Sequence, residues 1–311
     1  MSFIYPNLNC VGYLLLNRIQ IINANAISSP LTYGFPAITG FTGAVHALSR
    51  KISQIDTLAD IRLDGVLIAC FDCQPQIYRE SSYKDFTFVQ TRNPIKKDGK
   101  TSAIVEEGRC HLSVSLAIGV YSEQYMLDEE QIERLQDKVA TLIRQQRIAG
   151  GSVIKLSHFE PVRFYDDSAL DKLKNQLLPA FVLMDAFDAL QAITKEQQAQ
   201  NPNATALDAL LETATLHHIP SDDLGSEWSI TSIKTGRGWL VPIPVGYQGI
   251  SPRFEPGQLQ HSRNADYPSQ YVEAIYSLGK WVFPHSIDDL ATAFWYQQYK
   301  PSDNLYLVTQ T

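Results

Sequence analysis

Asn23, Asn25, Ser28, Ser29 and Thr32 set five amide and hydroxyl side chains in one short stretch, followed at once by the rings of Tyr33 and Phe35. Single-stranded RNA is held by polar groups along its backbone and by planar groups that stack on its bases. This stretch offers both. A second group is cationic: Arg92, Lys96, Lys97, Lys100 and Arg109, with Asn93 among them, surround the tip Lys97-Asp98-Gly99-Lys100. Each phosphate such a group met would be bound in a salt-sensitive way, through counterion release. Arg18, His46, His111 and Arg237 complete the candidate RNA contacts. The same residue types also build ordinary polar turns and solvated hairpin tips, so at this level both readings stand.

Catalysis finds less to work with. A ribonuclease without metal needs an acid/base pair, and His46 or His111 beside a tyrosine is the available combination. His46 follows the apolar stripe of its helix by one residue, which predicts a partly buried histidine bonded to backbone. Glu106-Glu107 has no second acidic cluster at metal-binding spacing. Gly236-Arg237-Gly238 lacks the pattern of a phosphate loop. Cys70 and Cys73 form a C-x-x-C without a matching second pair, at the end of the apolar run Val66-Leu67-Ile68, so they read as strand-end thiols. His217 and His218, adjacent and about 100° apart on a helix, read as surface or cap residues. No catalytic residue, metal or cofactor is expected.

Composition bounds the rest. At 44% hydrophobic and 19% charged, the chain is a globular protein with a somewhat low charged share, which predicts surface buried against partners. The net charge of −7 argues against a free-standing nucleic-acid binder. Local charge is uneven, however: residues 92–100 hold four cations against one Asp, and the acidic excess lies in 128–133 and 222–227. No apolar run reaches the roughly 18 residues of a membrane span. Leu14–Leu16 is too short for a secretory core, and four thiols without a disulfide pattern fit a reducing compartment. A cytoplasmic protein with no membrane contact is expected.

The elements that must position these groups follow from periodicity. Leu14 to Ile22 predicts a strand, and Phe41, Val45, Leu48 and Ile52 a helix after it. Leu63–Phe71 and Tyr83–Thr91 predict further strands, the latter leading into a hairpin tip at Asp98-Gly99. Leu112, Val114, Leu116, Ile118 and Val120 alternate as a strand. Residues 128–148 predict an amphipathic helix stopped by Gly150 and Gly151, with a strand at Val153–Leu156 beyond. The order β-α-β-(long hairpin)-β-α-β is the ferredoxin-like plan, also used by RNA-recognition domains. Residues 168–215 read as mostly helical, broken at Pro179. Short strands are expected at Trp228–Lys234 and Trp239–Val245, helices near 268–279 and 287–298, and a terminal strand at Leu305–Val308.

Several blocks resemble one family. Residues 23–36 and 41–48, Thr91–Pro94, Ala103–Arg109 with His111-Leu112, Gly238–Tyr247 and Trp295-Tyr296 are similar to the Csy-two family, the Cas-five-like subunit of the type I-F CRISPR surveillance (Csy) complex. Tyr33 stands where that family more often has Trp, and Cys110 where a small Ala is common. The resemblance implies an α+β protein with a modified ferredoxin-like/RRM core of the RAMP type over 1–160. A thumb would protrude at about 84–111, and a helical segment and Gly-rich β region (161–311) would pack on the same body. It implies a non-catalytic subunit that grips the 5′ handle of the CRISPR RNA. Such a subunit pairs with the large Cas-eight-like subunit (Csy-one), abuts the backbone subunit (Csy-three), and meets target DNA only indirectly. Two other readings remain: a metal-independent endoribonuclease that processes CRISPR RNA, and a purely structural adaptor.

Overall fold

A computed structural model describes residues 5, 7–92, 94–220, 228–262 and 264–310. It is a mixed α+β protein built on a large antiparallel sheet. β1 (Asn9–Asn25), β2 (Arg62–Pro75) and β3 (Arg109–Ser122) form its centre, with β3 antiparallel to both of the others. β4 (Arg147–Ile148) and β5 (Gly151–Lys155) extend it beyond β1, and β6 (Val162–Tyr165) also pairs β1. The helix α1 (Ile38–Ile52) connects β1 to β2, and α2 (Glu129–Arg144) connects β3 to β4. The first half therefore runs β-α-β-β-α-β, in the strand order β2-β3-β1-β5.

Both helices pack on one face of this sheet. Phe41, Val45, Leu48 and Ile52 of α1 are buried against it, as are Leu135, Val139 and Ile143 of α2. Asp128 caps α2 through a reciprocal capping box with Gln131, satisfying backbone donors at both positions. The expected end of α2 needs correction, because the helix stops at Arg144. Ala149 (φ 48°) and Gly150 (φ 80°) form instead the two-residue turn joining β4 to β5. Two successive positive φ angles match the right-handed twist of the strands they join.

The second half continues the same sheet. β7 (Phe181–Asp185), β8 (Trp239–Gly249), β9 (Val272–Val282), β10 (Trp295–Lys300) and β11 (Leu305–Gln310) run in the order β7-β9-β8-β11-β10. Both ends of that run meet β2: β10 through Trp295 opposite Val66, β7 through Phe181 and Val182 opposite Cys70 and Ala69. The six strands thereby close into a ring. α3 (Leu170–Gln176) and the chain at 287–294 cover the other face of the sheet, while α4 (Phe187–Gln200) and α5 (Ala206–Ala214) cover β8 and β9.

Four expected elements differ. The helix near 268–279 is the strand β9. The helix near 287–298 is a short 3-10 turn (Leu290–Ala293) followed by β10. In β9 the consecutive residues Ser277, Leu278 and Gly279 are all buried, so both faces are covered and the alternation that marks a strand disappears. The segment 168–215 contains three helices but also the strand β7. The continuous strand expected at Tyr83–Thr91 is reduced to Thr87–Phe88 and Gln90–Arg92.

Candidate nucleic-acid interface

Two bulges in β1 shape the site. Where the pairing of β1 with β3 slips, between Leu16 and Ile19 and again between Ile21 and Ala24, Arg18 (φ 47°) and Asn23 (φ 55°) take left-handed conformations. Asn tolerates that region better than most residues, and here its side chain is held from a distant strand end: Gln76 Nε2 donates to Asn23 Oδ1 at 2.8 Å. The Asn23 amide donates to His111 Nδ1 at 3.4 Å, and Gln76 Nε2 lies 3.1 Å from His111 Nε2. One network thus joins β1, the end of β2 and the start of β3.

Next to this network lies an open hollow of about 300 Å³, lined by Asn23, Asn25, Ile27, Glu107, Arg109 and two glycines, Gly108 and Gly150. Arg109 sits opposite Asn25 in the β1–β3 register. Its Nε donates to Glu107 Oε2 at 3.0 Å, and Nη2 reaches the same oxygen. Asn25 Oδ1 accepts from the Ile27 amide, which turns the chain out of the strand. A Cβ on Gly108 would come within 2.5 Å of Ile27 Cγ1, so the absence of a side chain there keeps the wall of the hollow low. The floor therefore offers two amide side chains and a guanidinium whose partner carboxylate is half-exposed, a set suited to phosphate and ribose oxygens.

Ser28, Ser29 and Thr32 have a different immediate task. Ser28 Oγ donates to the Thr32 carbonyl at 3.0 Å, and both serine hydroxyls lie within 2.7 Å of Thr32 Oγ1. Ser29 Oγ also accepts from the amides of Leu31 and Thr32. These hydroxyls close the loop upon itself and make it rigid. Tyr33, at its end, stays 75% exposed, edge-on to Phe88 with ring centroids 5.6 Å apart.

The thumb leaves the sheet between β2 and β3. Gln90–Arg92 pairs with Ile104–Glu106 below its tip. The tip turns through Lys96 N to Lys100 O (3.0 Å) and Gly99 N to Lys96 O (2.9 Å), with Gly99 at φ 75° where glycine is favoured. Lys96, Lys97 and Lys100 are exposed, and the contact of Lys100 with Asp98, at 3.7 Å between exposed groups, leaves the cation free to meet a ligand. The backbone of Arg92 lies in this hairpin, but its side chain and the whole of Asn93 fall outside the described residues.

Three candidates sit apart from the hollow. Arg18 reaches the Leu178 carbonyl (3.2 Å) and lies over the ring of Phe71, 4.1 Å from its centroid. Arg237 is bound by Glu196 (2.6 Å) and the Ile233 carbonyl (2.9 Å), fastening a turn to α4. His46 is exposed on α1 rather than partly buried, because the apolar stripe of that helix turns away from it. His217, read as a surface or cap residue, is exposed on the strand His217–Pro220 and pairs with Glu212 at 2.6 Å.

Gln76, which ties Asn23 to His111, was not legible in the sequence; only its position one residue past the end of β2, opposite the start of the thumb, hints at it. The cysteines behave as strand-end thiols. Burial pushes the Cys70 thiol up to about 12, while a hydrogen bond from Cys110 holds Cys73 below the usual thiol range and raises Cys110 in turn.

The chain is a mixed α+β protein built on a large antiparallel sheet, with an exposed lysine-bearing turn in the segment between β2 and β3. The chain matches the family model described as CRISPR-associated protein (Cas_Csy2) over residues 14–308. It is 37% identical over 310 residues to the CRISPR-associated protein Csy2 of Pseudomonas aeruginosa (strain UCBPP-PA14), covering 94% of this chain and 93% of that protein. The chain therefore belongs to the Csy2 family of CRISPR-associated proteins. No helix among the described residues is long and apolar enough to cross a membrane.

Proposed function

We propose that this protein is a non-catalytic RNA-binding subunit of a type I-F CRISPR surveillance complex. Its ferredoxin-like core of RAMP type would grip the 5′ handle of the guide RNA between the first turn and the thumb. The observation that carries this reading is the convergence of Asn23, Asn25 and Arg109 on one open hollow at the thumb base, with Lys96, Lys97 and Lys100 exposed at its tip. Family membership supports assembly with other Cas subunits, a large subunit and a backbone subunit among them. Arg18 and Arg237 do not line that hollow and each is held by protein groups, so they have structural roles in this reading.

The test is to co-express the chain with its large-subunit partner and a CRISPR RNA and to map photo-crosslinks by residue. Crosslinks to the handle within 23–36 and 91–111 are expected. Arg92→Glu with Lys97→Glu should abolish guide retention; unchanged retention removes the thumb from the RNA path. A stable protein pair without crosslinks in either segment would make the chain an adaptor. Loss of precursor cleavage in His46→Ala or His111→Ala would make it a ribonuclease.

A further inference from the structure

Beyond α5 the chain enters a small two-stranded sheet that the rest of the molecule leaves uncovered. His217–Pro220 pairs with Trp228–Thr231, and all eight residues are exposed. Two strands alone are at best marginally stable in water, so their order calls for cover from outside. In an antiparallel pair, residues directly opposite share a face, and the register sorts these side chains. His217, Ile219, Ser229 and Thr231 form one face, which His217 ties back to α5 through Glu212 at 2.6 Å. His218, Pro220, Trp228 and Ile230 form the other. On that second face Trp228 is 60% exposed and Ile230 62%.

The helix that leads into it continues the surface. Ala209, Leu210 and Thr213 of α5 are buried, while Leu207 and Leu211, one turn apart, are exposed, as is Leu216 just beyond the helix. Leucines at i and i+4 lie on one face of a helix, here a face turned away from the body. Exposed apolar side chains gathered in this way mark a place of association. Charge decides with what. From Glu196 to Ile233 the chain has six carboxylates and no Lys or Arg, against a net charge of −7 for all 311 residues. A phosphate backbone or an anionic lipid surface would be repelled from such a stretch, and so would a second copy of it. An apolar surface rimmed by lysine or arginine is its complement, since protein interfaces pair an apolar centre with a rim of matching charge.

We propose that this surface, centred on Trp228 and Ile230 and extended by Leu207 and Leu211, docks a neighbouring protein subunit through an apolar patch bordered by lysines and arginines. The proposal rests on the reading above that the chain assembles with other Cas subunits, and adds which face of the chain meets one of them. It does not depend on the path of the RNA, whose candidate contacts lie on other segments.

The test is a photo-crosslink from this surface in the complex co-expressed with the other subunits and a CRISPR RNA. Ile230 is replaced by a benzophenone-bearing phenylalanine, and the crosslinked peptides are identified by mass spectrometry. The expected product is a peptide of another subunit that holds apolar residues together with Lys or Arg. Crosslinks to RNA, to a second copy of this chain, or to no subunit overturn the proposal. Two substitutions then test the charge. Ile230→Lys and Ile230→Glu remove the same apolar group, so Lys should raise the apparent Kd for the crosslinked subunit about tenfold more than Glu. Equal losses, or a larger loss with Glu, overturn the proposal as well. Leu211→Ser repeats the measurement without touching the two-stranded sheet, so misfolding of that sheet cannot hide the result; it should weaken the same subunit's binding, and unchanged binding counts against the surface. If no other subunit co-purifies with the wild-type chain, the assembly reading falls and this proposal with it. If subunits co-purify and Ile230 crosslinks to none of them, the surface alone falls.

Discussion

Gln76 is the side chain on which the candidate interface depends most, because its Nε2 donates to Asn23 Oδ1 and lies 3.1 Å from His111, whose Nδ1 accepts from the Asn23 backbone N–H. Without it, the bulge at Asn23 keeps only the bond from its own amide to His111, and the asparagine side chain is released into the hollow. Gln76→Ala should therefore reduce guide retention in the assembled complex. Its thermal midpoint should change little, since the net value of one exposed hydrogen bond is about 1 kcal/mol. Retention equal to wild type, measured by co-purified RNA per complex, would remove this network from RNA binding. Thr32 shows the reverse: it is buried and receives hydroxyl contacts from both serines, so its contribution is to hold the loop's shape.

At the scale of elements, the start of α4 carries a carboxylate in an unfavourable place. Asp185 ends β7 and accepts from the Phe187 amide at 3.2 Å. Asp185 is exposed at the strand end, and partial desolvation of its carboxyl raises its pKa modestly above the ordinary carboxylate range; the Phe187 bond opposes this, and nearby Asp188 adds to it, so the effect on stability is small. A carboxyl whose pKa is higher folded than unfolded binds its proton more tightly in the native state. Native stability is then greatest below the unfolded-state value and declines as pH rises through the folded one. Asp185→Asn keeps an acceptor for Phe187 and removes the charge, so it should raise the thermal midpoint at pH 7. The gain should shrink as pH falls into the ordinary carboxylate range. A midpoint that drops at pH 7 would mean that the ionised group is stabilising. The thumb contrasts with α4: its strands are two to three residues long, so its course is set by turns such as Lys96–Lys100.

Over the whole molecule, closure of the ring depends on few contacts. Trp295 is fully buried in the main core, lies opposite Val66 in the register, and donates from Nε1 to the Leu183 carbonyl at 2.9 Å. It thus joins β10, β2 and β7. Beside it, Gly65 (φ 70°) sits in the bulge between Asp64 and Val66, where an added Cβ would come within 2.4 Å of the Tyr296 ring. Trp295→Ala should cost about 3–5 kcal/mol. It should also separate the far-UV and fluorescence unfolding transitions, which are expected to coincide in the wild type. A loss under about 1 kcal/mol with coincident transitions, in a urea titration followed by both probes, would show that the two halves are joined elsewhere.

How much was legible follows from where the information resides. α1 and α2 were readable because their burial is one-sided, so apolar residues recur with period 3.6 along the chain itself; the central strands, covered on both faces over most of their length, were readable by apolar runs such as Leu14–Leu16 and Val66–Ala69, and the tip by its residue types. Asn23, Asn25 and Arg109 were readable as residue types. That they share one hollow was not, since it depends on the register of β1 against β3 and on two bulges that no local pattern announces. β9 was misread because segments far away in sequence cover both its faces around Ser277–Gly279 and, unlike the central strands, it carries no long apolar run to mark it. A pocket lined by Phe35, Phe71, Phe181, Trp239 and Trp281 likewise draws its rings from five separate stretches. Local periodicity and residue chemistry were determined by the sequence alone; register, ring closure and convergence of side chains were decided by tertiary packing, because they are properties of pairs of segments and not of any one.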